Sequence, residues 1–202
     1  MGFGKKFWEG VVISKDEIEI ILKRKFQAKF MFGSIEKRYF INALGIGFDA
    51  SVAQYAAGIK YFNGLPRYLL ALIKAAMKLK NHHLFLKVND RLMDLSTLLV
   101  SIGNGLSTGG GFLLTPHAKV DDGKFDVCVI KAVKLSRIPK ILTRVLAAKH
   151  LNLPEVEIIQ TDKIEICSDK IVPIYYDGEL PQLQDPYKMT IQLHPGKINL
   201  IC

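Results

Sequence analysis

From Val156 onward the chain is one short strand-like run after another, and no other feature constrains its fold as tightly. VEIIQT (156–161), KIEICS (163–168), IVPIYY (171–176), KMTIQLH (188–194) and KINLI (197–201) are rich in β-branched and aromatic residues and are separated by turn formers. Upstream, LFLKVND and RLMDLSTLLVSIG read as two strands joined around Asn89-Asp90-Arg91. FDVCVIKAV (125–133) and RYFINA (38–43) add two more. So many short strands need partners on both edges and a second layer to bury their apolar sides, which a sandwich or partly closed barrel provides. The expected class is α+β and β-rich: an antiparallel β-sandwich-like domain with a few inserted amphipathic helices, a single domain over 1–202.

The helices have their own signals. Ser14 with Glu17 three residues later forms a capping box before a helix over 15–24. Ser51 to Lys60 is a second helix, and Pro66 opens a third that runs to Lys80. Ser136 to His150 sets Ile138, Ile141, Leu142, Val145 and Leu146 against Arg137, Lys140, Arg144 and Lys149.

The formal net charge of +9 favours an anionic partner: nucleic acid, an acidic membrane surface or a phosphorylated ligand. Nucleic acid ranks last, because Tyr175 and Tyr176 adjoin acidic residues rather than interleaving with basic ones. Three dispersed cysteines, Cys128, Cys167 and Cys202, argue against a disulfide framework or a zinc site and suit a reduced, cytoplasmic compartment. Cys128 and Cys167 are expected to be buried thiols. The N-terminus has no apolar signal core, and no apolar run approaches ~18 residues. Any membrane contact is therefore expected to be peripheral, through the basic amphipathic helices, whose alternative is to pack on the sheet with lysines in water. The five histidines are expected at the surface or in turns.

Three clusters of small and acidic residues stand out. The first is Asn42 to Ala50, NALGIGFDA. The second is Gly103-Asn104-Gly105 followed by Gly109-Gly110-Gly111, Pro116 and Asp121-Asp122-Gly123. The third is Tyr176-Asp177-Gly178-Glu179. Each alone reads as a turn, since Gly accepts positive φ at little cost. The GxGxxG look of the first is weak, for no parallel βαβ pattern follows it. Asp49, an acid beside a Gly-rich turn, is read either as acting near the active site or as capping the helix at Ser51, and the cap is favoured.

In this order the clusters resemble the C-terminal domain of the bacterial diacylglycerol kinase and sphingosine kinase-like lipid kinase family. The resemblance runs from about Ser14 to the end and includes KDEIEIILKRK before the first strand. It implies transfer of the γ-phosphate of ATP to the hydroxyl of a lipid such as diacylglycerol. It gives Glu179 of the D-G-E turn the role of catalytic base. It implies a Mg²⁺ site at the D-D-G turn, with the Asp122 carboxylate and the main-chain carbonyls of Lys119 and Lys124 as ligands. The implied partners are a lipid substrate, an anionic membrane surface, and a separately encoded nucleotide lobe or a second copy of the chain.

The family's nucleotide lobe carries a G-G-D-G-T loop that is absent here. Gly2 to Phe7 aligns with a second nucleotide motif, G-T-G-N-D-F, as an eroded remnant, so residues 1–13 are read as a junction with that lobe. ATP is thus expected to be bound mainly outside this sequence, and no ATP-contacting residue is assigned within it. The alternative is a catalytically inactive lipid- or membrane-binding domain derived from such a kinase.

Overall fold

The computed structural model describes residues 28–108 and 111–200. The expected helix over 15–24, the junction over 1–13, Gly109, Gly110 and Cys202 lie outside them. Ten strands form one continuous hydrogen-bonded surface: β1 (Ala28–Ile35), β2 (Arg38–Phe40), β3 (Ala43–Gly47), β4 (His82–Val88), β5 (Arg91–Gly103), β6 (Phe125–Lys131), β7 (Val156–Thr161), β8 (Lys163–Ser168), β9 (Ile174–Tyr176) and β10 (Lys188–Leu200). Three helices join them: α1 (Phe48–Gly58), α2 (Leu65–Met77) and α3 (Ile138–Leu146).

The long strand β5 makes the two layers. Its first half, Arg91 to Thr97, pairs with β4, which continues the order β2-β1-β10-β8-β4. After an irregularity between Thr97 and Leu99, its second half pairs with β3 on one edge and β6 on the other. β9 extends the second layer beyond β3, and β7 beyond β6. All of these pairs are antiparallel.

The hydropathy pattern follows this geometry. β4 and β8 alternate buried and exposed residues because their outer faces meet water. β3 and β6, and β5 from Thr97 onward, are buried almost residue by residue. Their inner faces join the inter-sheet core, where Leu84, Leu86, Val88, Ile164 and Ile166 meet Val100, Ile102, Phe125, Val127 and Val129. Their outer faces lie under the helices: Leu99, Cys128 and Ile130 pack with Phe48, Val52, Ala71, Ala75, Ile138, Ile141 and Val145.

The expected antiparallel sandwich is thus present, with several boundaries changed. RYFINA splits at Ile41-Asn42, which leave the ladder. The two last runs are one strand, β10, whose register against β1 slips between Phe30 and Phe32. In IVPIYY only Ile174 to Tyr176 pair. α3 is shorter than its apolar pattern: a 3₁₀ turn over Leu135–Arg137 precedes it, and Ala148 adopts φ 53°, which ends the right-handed run. Cys128 is buried, whereas Cys167 is only partly so. His150 departs from the surface expectation: it is fully buried, with Nε2 3.0 Å from the Leu114 carbonyl. Burial lowers its pKa.

Candidate functional site

The three Gly- and acid-rich clusters, up to 136 residues apart, converge at one end of the sandwich. Asp177 joins the first to the third. Its φ of 45° turns the chain out of β9. Its carboxylate accepts three main-chain N–H groups, from Ile41 at 2.6 Å, Asn42 at 3.0 Å and Ala43 at 3.0 Å. These are the groups left without ladder partners where RYFINA breaks, and a carboxylate satisfies them with charge-assisted bonds.

The second cluster closes on the same bend. Asn104 and Gly105 donate their N–H groups to the Asn42 carbonyl, each at 2.9 Å. The Asn104 side chain donates to the carbonyls of Met31 (2.9 Å) and Ile41 (2.7 Å). Asn42 Nδ2 reaches the Ser107 carbonyl at 2.9 Å. A Cβ at Gly105 would collide with the Asn42 side chain, so this approach requires glycine. Asn42, Asn104, Gly105 and Asp177, which look like turn formers, are therefore parts of one hydrogen-bonded knot.

Glu179 projects from the knot. The main chains of Tyr176 and Glu179 exchange two hydrogen bonds, at 3.0 and 2.7 Å, which fixes the turn. The Glu179 carboxylate is exposed, and its Oε2 accepts the Tyr176 hydroxyl at 3.1 Å. The Tyr176 phenol is held above its ordinary pKa by burial and then by Glu179, so it remains a donor.

The D-D-G turn is tied in from the other side, where Met31 donates to the Val120 carbonyl at 3.0 Å. Asp122 is exposed, and its Oδ1 accepts the Lys124 N–H at 3.0 Å. An open, mostly polar depression is lined by Asp122, Lys119, Gln160, His117 and Leu106. Lys124 adjoins Asp122 but does not line it. Among the described residues no three His, Cys, Asp or Glu side chains cluster as a metal site. The donors on offer are one carboxylate, main-chain oxygens and water, a set that fits a hard cation such as Mg²⁺.

Asp49 is the residue that sequence reasoning misplaced. α1 begins at Phe48, capped by Gly47 with φ 97°, so Asp49 lies inside the first turn and makes no side-chain cap. The residue is partly buried, and its carboxyl Oδ2 is out of reach of water. Oδ1 accepts the Ala50 N–H at 2.9 Å, and Oδ2 has no partner among the described residues. Burial pushes its pKa up to about 8, so it is mainly protonated at neutral pH. Only glycine fits at position 45, because a Cβ there would strike the Asp49 carboxylate and the Tyr175 ring.

Asp49 faces a pocket between the second sheet layer and all three helices. Phe48, Val52, Leu72, Leu98, Phe112 and Leu142 are among its walls, and Asp49 is its one carboxyl. Thr108 and Tyr68 add the polar atoms near it. β9 connects this pocket to the knot. Tyr175 packs on Gly45 and Asp49, and its phenol is pushed up by burial and by Asp49. The next residue, Tyr176, holds Glu179. The sequence signal for the pocket was an acid directly after G-I-G-F at the start of an apolar helix.

Comparison with known proteins agrees with the fold. The family model for the YegS C-terminal NAD kinase beta sandwich-like domain matches residues 42–202. A protein of Chromohalobacter salexigens called "Probable lipid kinase YegS-like" is 31% identical over 173 residues, 83% of this chain and 53% of that protein. A "Diacylglycerol kinase" of Staphylococcus carnosus is 25% identical over 152 residues, covering 75% of this chain and 50% of its own. The chain thus spans about half the length of the curated relatives it matches. A crystal structure of a diacylglycerol kinase from Bacillus anthracis superposes with a TM-score of 0.60 at 15% identity, covering 94% of this chain and 60% of that one, which is a likeness of fold. With the family model covering the whole sandwich from Asn42 on, the chain belongs to the YegS C-terminal domain family, whose relatives are named as lipid and diacylglycerol kinases.

Proposed function

We propose that this chain is the acceptor side of an ATP-dependent lipid kinase, with a lipid alcohol such as diacylglycerol as substrate. One observation carries the proposal: an apolar pocket with a single buried carboxyl lies one strand away from the exposed, hydrogen-bonded Glu179. The cavity is about 30 Å³, so acyl chains would part the helices to reach its apolar walls, such as Val52, Leu72, Phe112 and Leu142, and would gain by burial there. Asp49, protonated at neutral pH, is suited to donate a hydrogen bond to an ester or hydroxyl oxygen. An ionised carboxylate in that place would repel the same atoms.

Glu179 is the base in this scheme. It accepts the proton of the lipid hydroxyl as that oxygen bonds to the γ-phosphorus and ADP departs. Tyr176 is a positioning residue, holding the carboxylate through its hydroxyl. ATP is held mainly by residues outside this sequence. Mg²⁺, held by Asp122 and the carbonyls of Lys119 and Lys124, would supply neutralisation of phosphate charge.

The test is transfer of label from ATP to a short-chain diacylglycerol, with the nucleotide lobe of a related kinase supplied. Turnover is expected, falling about 10²- to 10⁴-fold in Glu179→Ala with unaltered thermal melting. Undiminished transfer by that variant would remove Glu179 from the chemistry.

A further inference from the structure

The segment that carries Glu179 is tied to β2 beyond both ends of that strand. On one side Asp177 holds the N–H groups of Ile41, Asn42 and Ala43. On the other side the β1–β2 turn is held as well. Glu36, with φ 52°, accepts the N–H groups of Gln184 and Asp185 on Oε1, at 2.8 and 3.1 Å. Residues 177–185 therefore run alongside residues 36–43, and Arg38 lies between the two ties. Side chains alternate along β2. Tyr39 is 64% exposed and meets Phe32 edge-on at the outer face, whereas Phe40 is fully buried and stacks on Phe125 in the inter-sheet core. Arg38 shares the Phe40 face, so its half-buried side chain enters the rim between the two layers.

Tyr176 stands across that rim, on the other layer. Its phenol is raised by burial and then by Glu179, and the Arg38 guanidinium beside its hydroxyl opposes them. The Tyr176 hydroxyl thus sits between a carboxylate and a guanidinium. The ion pairs among the described residues are His83–Asp94, Arg91–Glu157, Arg137–Glu155 and Lys163–Glu165, and none of them uses Arg38. A guanidinium carries five N–H donors in a rigid fork, and one phenol oxygen accepts at most two. The others are available to an anion.

Glu179 alone is a poor host for phosphate. The lipid oxygen that gives its proton to Glu179 is the oxygen that bonds to phosphorus, so the phosphoryl group comes to lie beside that carboxylate. Like charges repel there, and a cation on the far side of Tyr176 offsets the repulsion. The arginine fork also matches two phosphate oxygens at once. We propose that Arg38 binds the phosphoryl group on the acceptor side, holding the phosphomonoester of the lipid product beside Glu179. This rests on the reading of Glu179 as the base of a lipid kinase, and it adds a site for phosphorylated lipid to one for the alcohol. In the transfer step the bond from the lipid oxygen to phosphorus forms as the bond to ADP breaks. The proton passes to Glu179, and Arg38 neutralises charge on the phosphoryl oxygens.

The experiment is calorimetric titration of the chain, without ATP, with dioctanoyl phosphatidic acid, dioctanoylglycerol and inorganic phosphate. The parent is expected to bind phosphatidic acid about tenfold or more tighter than either of the others. Arg38→Met keeps the apolar stem and removes the fork. It is expected to lose about tenfold or more in affinity for phosphatidic acid, with affinity for dioctanoylglycerol and thermal melting unchanged. Arg38→Lys, which keeps the charge, is expected to fall between the two. Phosphatidic acid binding that Arg38→Met leaves intact would overturn the proposal. So would an equal loss for both lipids, which is what a role through Tyr176 alone would give. Inorganic phosphate bound as tightly as phosphatidic acid would overturn it too, since the ligand would then be a free anion. Arg38-dependent binding without phosphoryl transfer would sink the kinase reading and leave this site standing. Transfer with binding that ignores Arg38 would sink the site alone.

Discussion

The inter-sheet core and the helix-covered core share strands β3, β5 and β6 but are built to different standards. The inter-sheet core contains Leu44, Ile46, Leu84, Ile102, Phe125, Ile164 and Ile166, all essentially inaccessible. The helix-covered core contains a pocket, a buried carboxyl with an unpartnered oxygen, and a helix whose outer face meets water. Each unsatisfied or unfilled feature there costs stability. The sandwich thus supplies the rigidity and the helical layer the capacity to bind. The Asp177 knot sits at the sandwich end, where loops need only be held still.

The largest expected effect probes the weaker core. Asp49 has a folded pKa of about 8, above the ordinary carboxyl value. The folded state therefore holds a proton that the unfolded state has released, and stability falls as pH rises from about 4 to about 8. The rise from 3.8 to about 8 sets an upper value on the order of 6 kcal/mol, at 1.36 kcal/mol per pKa unit. Urea unfolding across this range is expected to show the slope in the parent and to lose most of it in Asp49→Asn. An equal slope in both would mean that Asp49 does not titrate in this range.

Next in size is Asp177→Ala, which strips three main-chain donors of their acceptor at a half-buried site. A loss of about 3 kcal/mol is expected in urea unfolding. A change below ~0.5 kcal/mol would reduce the knot to a solvated turn. Smaller still is Tyr176→Phe, which removes one hydrogen bond to Glu179. About a tenfold fall in kcat with little change in KM is expected, the signature of a positioning role in transfer rather than in lipid binding. A rise in KM alone would place Tyr176 among the lipid contacts instead.

The sandwich was legible because two-residue alternation and continuous burial are written directly into the strands. β4 alternates and β6 does not, and their surroundings differ accordingly. The acid-bearing turns were also legible as features, but one at a time. That Asp177 serves Ile41, Asn42 and Ala43 depends on a contact across 134 to 136 residues, which no local spacing encodes. Asp49 was misplaced for a related reason. A cap and a first-turn acid differ by two residues in where the helix begins, and the Gly47 conformation rather than any propensity sets that start. His150 looked like a turn residue and lies beneath the loop carrying Leu114.

The division between the two regions is tested most directly by binding of a water-soluble diacylglycerol, followed calorimetrically in two variants. Leu142→Trp fills the pocket, and Glu179→Ala empties the turn of its carboxylate. Saturable binding is expected in the parent and in Glu179→Ala, with loss in Leu142→Trp while its thermal melt stays cooperative. Binding retained in Leu142→Trp and lost in Glu179→Ala would place the lipid at the knot and contradict the assignment of the helical layer.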